Sequence, residues 1–60
     1  MAMFKIINDA AGQRYEYAGD GKWAAEGLRF DSEAQALARI AADGWRMAPR
    51  VRAGAQVVAA

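Results

Sequence analysis

The run MFKIINDAAGQRYEYAGDGKW, Met3 to Trp23, decides the fold. Large apolar and aromatic residues stand at Phe4, Ile6, Tyr15, Tyr17 and Trp23, and Lys5, Arg14, Glu16 and Lys22 alternate with them. A period of two marks strands with one buried face. Asp9-Ala10-Ala11-Gly12 and Gly19-Asp20-Gly21 break the pattern with residues that favour turns. The run therefore predicts an antiparallel meander of strands Met3–Asn8, Gln13–Ala18 and Lys22–Phe30. A four-residue first loop sets Phe4 opposite Tyr17, Ile6 opposite Tyr15 and Lys5 opposite Glu16. A three-residue second loop, with Gly21 left-handed, sets Tyr17 opposite Trp23 and Tyr15 opposite Ala25. A slip of one residue would mix the aromatic and charged faces, so the pattern selects this register. Gly27 is expected to mark a bulge that brings Leu28 and Phe30 into the core and turns Arg29 outward.

Downstream, Ser32-Glu33-Ala34-Gln35 fits a capping box, with Ser32 as the cap and Gln35 reaching back. It predicts a helix from about Glu33 to Asp43. Ala34, Leu37, Ile40 and Ala41 form its expected apolar stripe, and Gly44 its left-handed end. Trp45, Met47, Pro49 and Val51 then alternate with Arg46, Ala48, Arg50 and Arg52. That alternation predicts a fourth strand over Trp45–Arg52, with Trp45 buried and Pro49 placing the strand at an edge. Ala53-Gly54 turns again, and Ala55–Ala60 reads as a short edge strand or a frayed tail. The fold class is α+β: a single domain over residues 1–60, βββαβ with room for a short fifth strand, one helix lying on the aromatic face.

Composition removes most catalytic chemistry. There is no His, no Cys, no Thr and a single Ser. Without them there is no disulfide framework, zinc site, imidazole base or thiol nucleophile. Ser32 has no His partner for a nucleophilic pair. Gly19-x-Gly21 lacks the third glycine of a dinucleotide fingerprint, and there is no P-loop. Asp31 and Glu33 could pose as paired carboxylates, but they suit the start of a helix better. A chain this short also leaves little room for a pocket of several hundred Å3. The expectation is a non-enzymatic protein with no cofactor and no metal. Of its 33 apolar residues 16 are Ala, so large core-forming groups are few. With neither disulfide nor metal to compensate, a partner or a homodimer is expected. No apolar run reaches the ~20 residues of a membrane span, and Met1–Asp9 is too short and mixed for a signal peptide. The expected setting is cytoplasmic, away from membranes.

Eight Lys and Arg face seven Asp and Glu, a net charge of +1, so distribution matters more than the sum. In the expected registers the sheet's open face collects Lys5, Arg14, Lys22, Arg29, Arg46, Arg50 and Arg52, opposed only by Glu16. These seven are the candidate binding residues. Arg46, Arg50 and Arg52 are the proposed anchors, because guanidinium suits carboxylate and phosphate recognition. The plain alternative is a charged face that keeps a one-sided sheet soluble. The partner would be an acidic protein surface or a nucleic-acid backbone. Single-strand binding also calls for exposed aromatics, and Tyr15, Tyr17, Trp23 and Trp45 are expected in the core.

Two resemblances add to this. Leu37 to Val51, with Ala42-Asp43-Gly44-Trp45 at its centre, resembles the helix–Gly-Trp–strand unit of small mRNA-interferase toxins. That family carries a His on the following strands, and this chain has none, so no activity is implied. Short strands, Phe30-Asp31-Ser32 opening one helix and a return strand resemble, in layout and size, small phage anti-CRISPR and anti-defence inhibitors. That resemblance implies a protein that blocks a bacterial defence complex by occupying a surface. A nucleic-acid-backbone binder and a homo-oligomeric assembly module are the alternatives.

Overall fold

The computed structural model describes residues 2–10 and 12–60; Met1 and Ala11, the latter inside the expected first turn, lie outside the described residues. The chain folds as a four-stranded antiparallel sheet with helices, an α+β fold as the alternation predicts. Strands β1 (Phe4–Ala10), β2 (Gln13–Gly19) and β3 (Lys22–Ala24) form the meander, and β4 (Gln56–Ala59) returns beside β1, giving the order β3-β2-β1-β4. Helix α1 spans Glu33–Asp43, a 3-10 turn follows at Gly44–Arg46, and a short helix α2 spans Pro49–Gly54.

The first hairpin is longer than expected. Ile7 pairs with Glu16 and Asn8 with Tyr15, two positions from the expected register. A shift of two preserves the parity of the strands, so every side chain keeps its face. Tyr17 pairs with Trp23 as expected, their rings meeting edge-on at 5.2 Å. Glu16 pairs with Ala24 in that same register, and β3 ends there, one residue short of the expected Tyr15–Ala25 pair. Gly19, Asp20 and Gly21 all take positive φ in the turn, not Gly21 alone. Ile6, Tyr17, Phe30, Ala36 and Met47 form the buried cluster, flanked by Phe4, Trp23, Leu28, Ile40, Val51, Ala55 and Val57.

The third strand stops at Ala24 rather than running to Phe30. The segment after it instead enters between the diverging ends of β1 and β2. Leu28 donates its N–H to the Tyr17 carbonyl at 2.9 Å, and Phe30 exchanges two 2.9 Å backbone bonds with Phe4. Gly27 makes this approach feasible: a Cβ there would lie 2.3 Å from the Tyr17 carbonyl oxygen. The expected consequence holds, with Phe30 buried, Leu28 against the core and Arg29 outward. Its cause is a close backbone crossing and not a bulge within one strand.

Helix α1 has the expected bounds and cap: the Gln35 N–H donates to Ser32 Oγ at 3.1 Å. Gln35 reaches back one residue further than expected, its Oε1 accepting from the Asp31 N–H at 3.0 Å. The buried face differs. Ala36 is fully buried and Ile40 half-buried, while Ala34 and Ala41 are exposed and Leu37 is 52% exposed. Ala occupies five of the eleven positions, so small apolar groups lie all round the helix and the pattern underdetermines its face.

The largest correction concerns residues 44–60. Trp45–Arg52 is not a strand; it is the 3-10 turn followed by the start of α2, and Trp45 is 76% exposed. Met47 and Val51, four apart, satisfy a period of two and a helical period equally, so so short a run cannot separate them. Pro49 decides it: it occupies the first turn of α2, where its missing N–H costs nothing and its φ is preset. Ala48, preceding it, is extended as the proline requires, and the Arg52 N–H closes the turn on the Ala48 carbonyl at 2.9 Å. Gly44 is right-handed, with φ −57°, and not left-handed. Its lack of a side chain serves Arg52, whose Nε would lie 2.7 Å from a Cβ there. The helix–Gly-Trp–strand likeness to mRNA interferases therefore fails at its strand. Residues 55–60 supply the return strand: Val57 pairs with Ile6 and Val58 with Lys5.

Gly27→Ala should destabilise the domain by about 1–3 kcal/mol, the usual cost of forcing a methyl group into filled space. At roughly 4–8 °C per kcal/mol for a domain this small, calorimetry would register it; an unchanged thermal midpoint would contradict the crossing at Tyr17.

Candidate functional site

The seven candidate cations do not share one face, because residues 45–52 are not part of the sheet. Lys5 and Arg14 stand on the open face, with Arg29 reaching it from the crossing segment. Arg46, Arg50 and Arg52 belong to the layer over the opposite face: Met47 and Val51 pack into the core there, and Asn8 donates its side-chain N–H to the Val51 carbonyl at 2.8 Å. Lys22 starts β3, beside the turn that carries Asp20.

On the open face the cations are already engaged. Glu16, 8% exposed, accepts from Lys5 Nζ at 2.9 Å, from Arg29 Nη1 at 2.7 Å and from the Gly27 N–H at 2.9 Å. The Lys5 ammonium first, then Arg29 and the Gly27 amide, hold its carboxyl down at about 2. Arg14 pairs with Asp9 at 3.1 Å, both largely in water. The basic open face is thus mostly compensated by its own carboxylates.

A second network lies on the helix side. The Tyr17 hydroxyl donates to Asp43 Oδ2 and accepts from the Gly21 N–H at 2.9 Å. Arg39 Nε donates to the same Asp43 oxygen at 2.9 Å. These two donors, the phenol first, hold the Asp43 carboxyl below its ordinary range, and burial raises the Tyr17 phenol. The 39/43 spacing, one helical turn, was legible as an ion pair; its union with Tyr17 required the fold.

The third site is the surface of residues 44–54. Arg46 bonds Asp20 at 3.1 Å, and its guanidinium lies over the Trp45 ring, 4.7 Å from the centroid. Among the described residues, Lys22, Arg50 and Arg52 make no side-chain hydrogen bond or ion pair, and all three are exposed. An open cleft of about 640 Å3 runs between the 3-10 turn and α2, lined by Gly44, Trp45, Met47, Pro49, Arg52 and Ala53. Residues 44–60 contain three Arg and no Asp or Glu, whereas residues 1–43 contain five basic and seven acidic residues. The charge separation therefore runs along the chain, toward its last third. An exposed Trp45 among these arginines is the feature that sequence reading missed, and the Ala48-Pro49 step that starts α2 was the signal for it.

Among the described residues, no three His, Cys, Asp or Glu side chains gather as metal ligands, and no helix is long and apolar enough to cross a membrane. No family model matches the chain, and neither a curated protein nor a solved structure matches it.

Glu16 links stability to pH. Its carboxyl titrates near 2 when folded against an ordinary 4.5, so its contribution is complete above about 4.5 and disappears as pH falls toward 2. The gap in urea midpoint between the wild type and Glu16→Gln should therefore be widest near neutrality and close over that window. A gap independent of pH would show that the clamp does not hold the charged form.

Proposed function

We propose that this chain is a non-enzymatic binding protein that engages an anionic partner through residues 44–54, with Trp45, Arg46, Arg50 and Arg52 as contacts and Lys22 adding attraction. The observation that carries this reading is that Arg50 and Arg52, without ion-pair partners among the described residues, and an exposed Trp45 share a stretch without acids. Lys5, Arg29 and Arg14 serve internal carboxylates instead. Ser32, the single hydroxyl of its kind, caps α1, and Glu16 and Asp43 are committed to ion pairs. Trp and Arg are the side chains that most often dominate binding surfaces. The likeness in layout and size to phage inhibitors of bacterial defence supports a cytoplasmic setting in which such binding blocks a surface; the side chains support the binding itself.

A separate surface supports self-association. β4 is an edge of the sheet, and Gln56-Val57-Val58-Ala59 carries neither charge nor proline, the usual protections of an edge. Antiparallel pairing of two β4 edges would join two sheets across a twofold axis.

Arg50→Glu should lower the salt needed to elute the protein from a polyanionic matrix more than Arg14→Glu, which changes the net charge equally. Equal effects would show that net charge, and not this surface, does the binding. Sedimentation at micromolar concentration should give twice the 6.5 kDa chain mass; a folded monomer would remove the edge-pairing reading.

A further inference from the structure

Trp45 lies in solvent although the domain has few large apolar side chains to bury. Burying an indole ordinarily contributes several kcal/mol, so a fold short of such groups leaves one outside at the expense of its own stability. The ring also has a partner within the chain. Arg46 covers part of it at 4.7 Å from the centroid. The Arg46 stem packs on the β2–β3 turn, where a Cβ on Gly21 would lie 3.2 Å from the Arg46 Cβ. The rest of Trp45 is open, at 76% exposure.

Two further arginines stand on the short helix that follows this ring in the chain. Arg52 presses on Gly44, the residue before Trp45, and lines the same cleft as the indole. Arg50 stands on the same short helix with no carboxylate partner among the described residues. The combination is a flat, exposed π surface stacked against Arg46, in a stretch that also carries anion-binding groups of fixed charge. A carboxylate-rich protein surface satisfies the arginines, and must add an apolar pocket of its own to take the open indole. A nucleic-acid duplex satisfies them too, but keeps its base faces stacked inside. A single strand offers both a phosphate backbone and unstacked bases.

We infer that residues 44–54 bind single-stranded nucleic acid, with a base stacked on Trp45 and neighbouring phosphates paired with Arg50 and Arg52. This rests on the reading of that surface as an anion-binding one, and specifies its ligand. Recognition is tolerant of sequence, because every base has a π face and the arginines contact only the backbone. The contacts are few, so affinity is modest and falls steeply with salt.

The test is anisotropy with a short fluorescent oligothymidylate, a duplex of the same length, and polyphosphate and polyglutamate as competitors without bases. The single strand should bind tighter than the duplex. Trp45→Ala should weaken it about 5- to 150-fold, the range for loss of one stacked base, with the thermal midpoint little changed because the side chain is exposed. Trp45→Phe should keep most of the affinity but lose the ligand-induced quenching of indole emission, leaving Trp23, packed on Tyr17, as the remaining emitter. Arg50→Ala and Arg52→Ala should each reduce the salt slope by about 0.7. Oligothymidylate binding unaffected by Trp45→Ala overturns the inference. Displacement by polyglutamate or polyphosphate at least as effective as by the unlabelled strand also overturns it, while leaving the anionic-partner reading intact. Failure to bind any of these polyanions at low salt overturns both.

Discussion

The Glu16 carboxylate is where the structure converges. It stands where β1 and β2 separate, and its two oxygens receive a lysine from β1 and an arginine and a backbone amide from the segment beyond β3. A carboxylate nearly removed from water must be fully paired to be tolerated. Here the pairing draws three stretches of chain to one point. It holds Gly27 against the Tyr17 backbone, so that Leu28 and Phe30 continue into the gap and bring their side chains to the core.

Beyond the crossing, the helical layer is attached by few large groups. Ala36 admits α1 close to the sheet, and the Tyr17–Asp43–Arg39 network fastens its far end. Met47 and Val51 attach the 3-10 turn and α2, helped by Asn8 on the Val51 carbonyl. An Ala-rich helix contributes little apolar area, so specificity of docking falls to these polar contacts. A part-buried network of this kind favours one arrangement, because the buried Tyr17 hydroxyl needs its partner.

The same division explains how a nearly neutral chain carries a basic surface. Cations of the first 43 residues are largely matched by nearby acids, and Arg39 is absorbed by Asp43. The last 17 residues bring arginines without acids, with Arg46 stacked on the exposed Trp45 and Arg50 and Arg52 on the short helix that follows. Charge that stabilises the fold and charge left for a partner are thus separated along the chain. The cost is an indole and two guanidinium groups that add little to a small core.

The alternation in Met3–Trp23 was enough to establish the strands, the aromatic core face and the Tyr17–Trp23 pair, and the capping box at Ser32–Gln35 added α1 and so the α+β class, because period and capping are local properties of the backbone. It also survived an error of two in the first hairpin, since parity, not register, assigns faces. Three things lay beyond it. The buried side of α1 depended on which residues Tyr17 could reach, a contact between positions 26 apart. The crossing at Gly27 depended on a carboxylate 11 residues earlier. The conformation of residues 45–54 depended on competition between two periods that coincide at a spacing of four, and tertiary packing of Met47 and Val51 allowed either. The Pro49 geometry and the return strand at Gln56–Ala59 settled it as helix, because the sheet edge beside β1 was taken by β4. That outcome alone put Trp45 in solvent among its arginines, and so moved the candidate surface from the sheet to the helical layer.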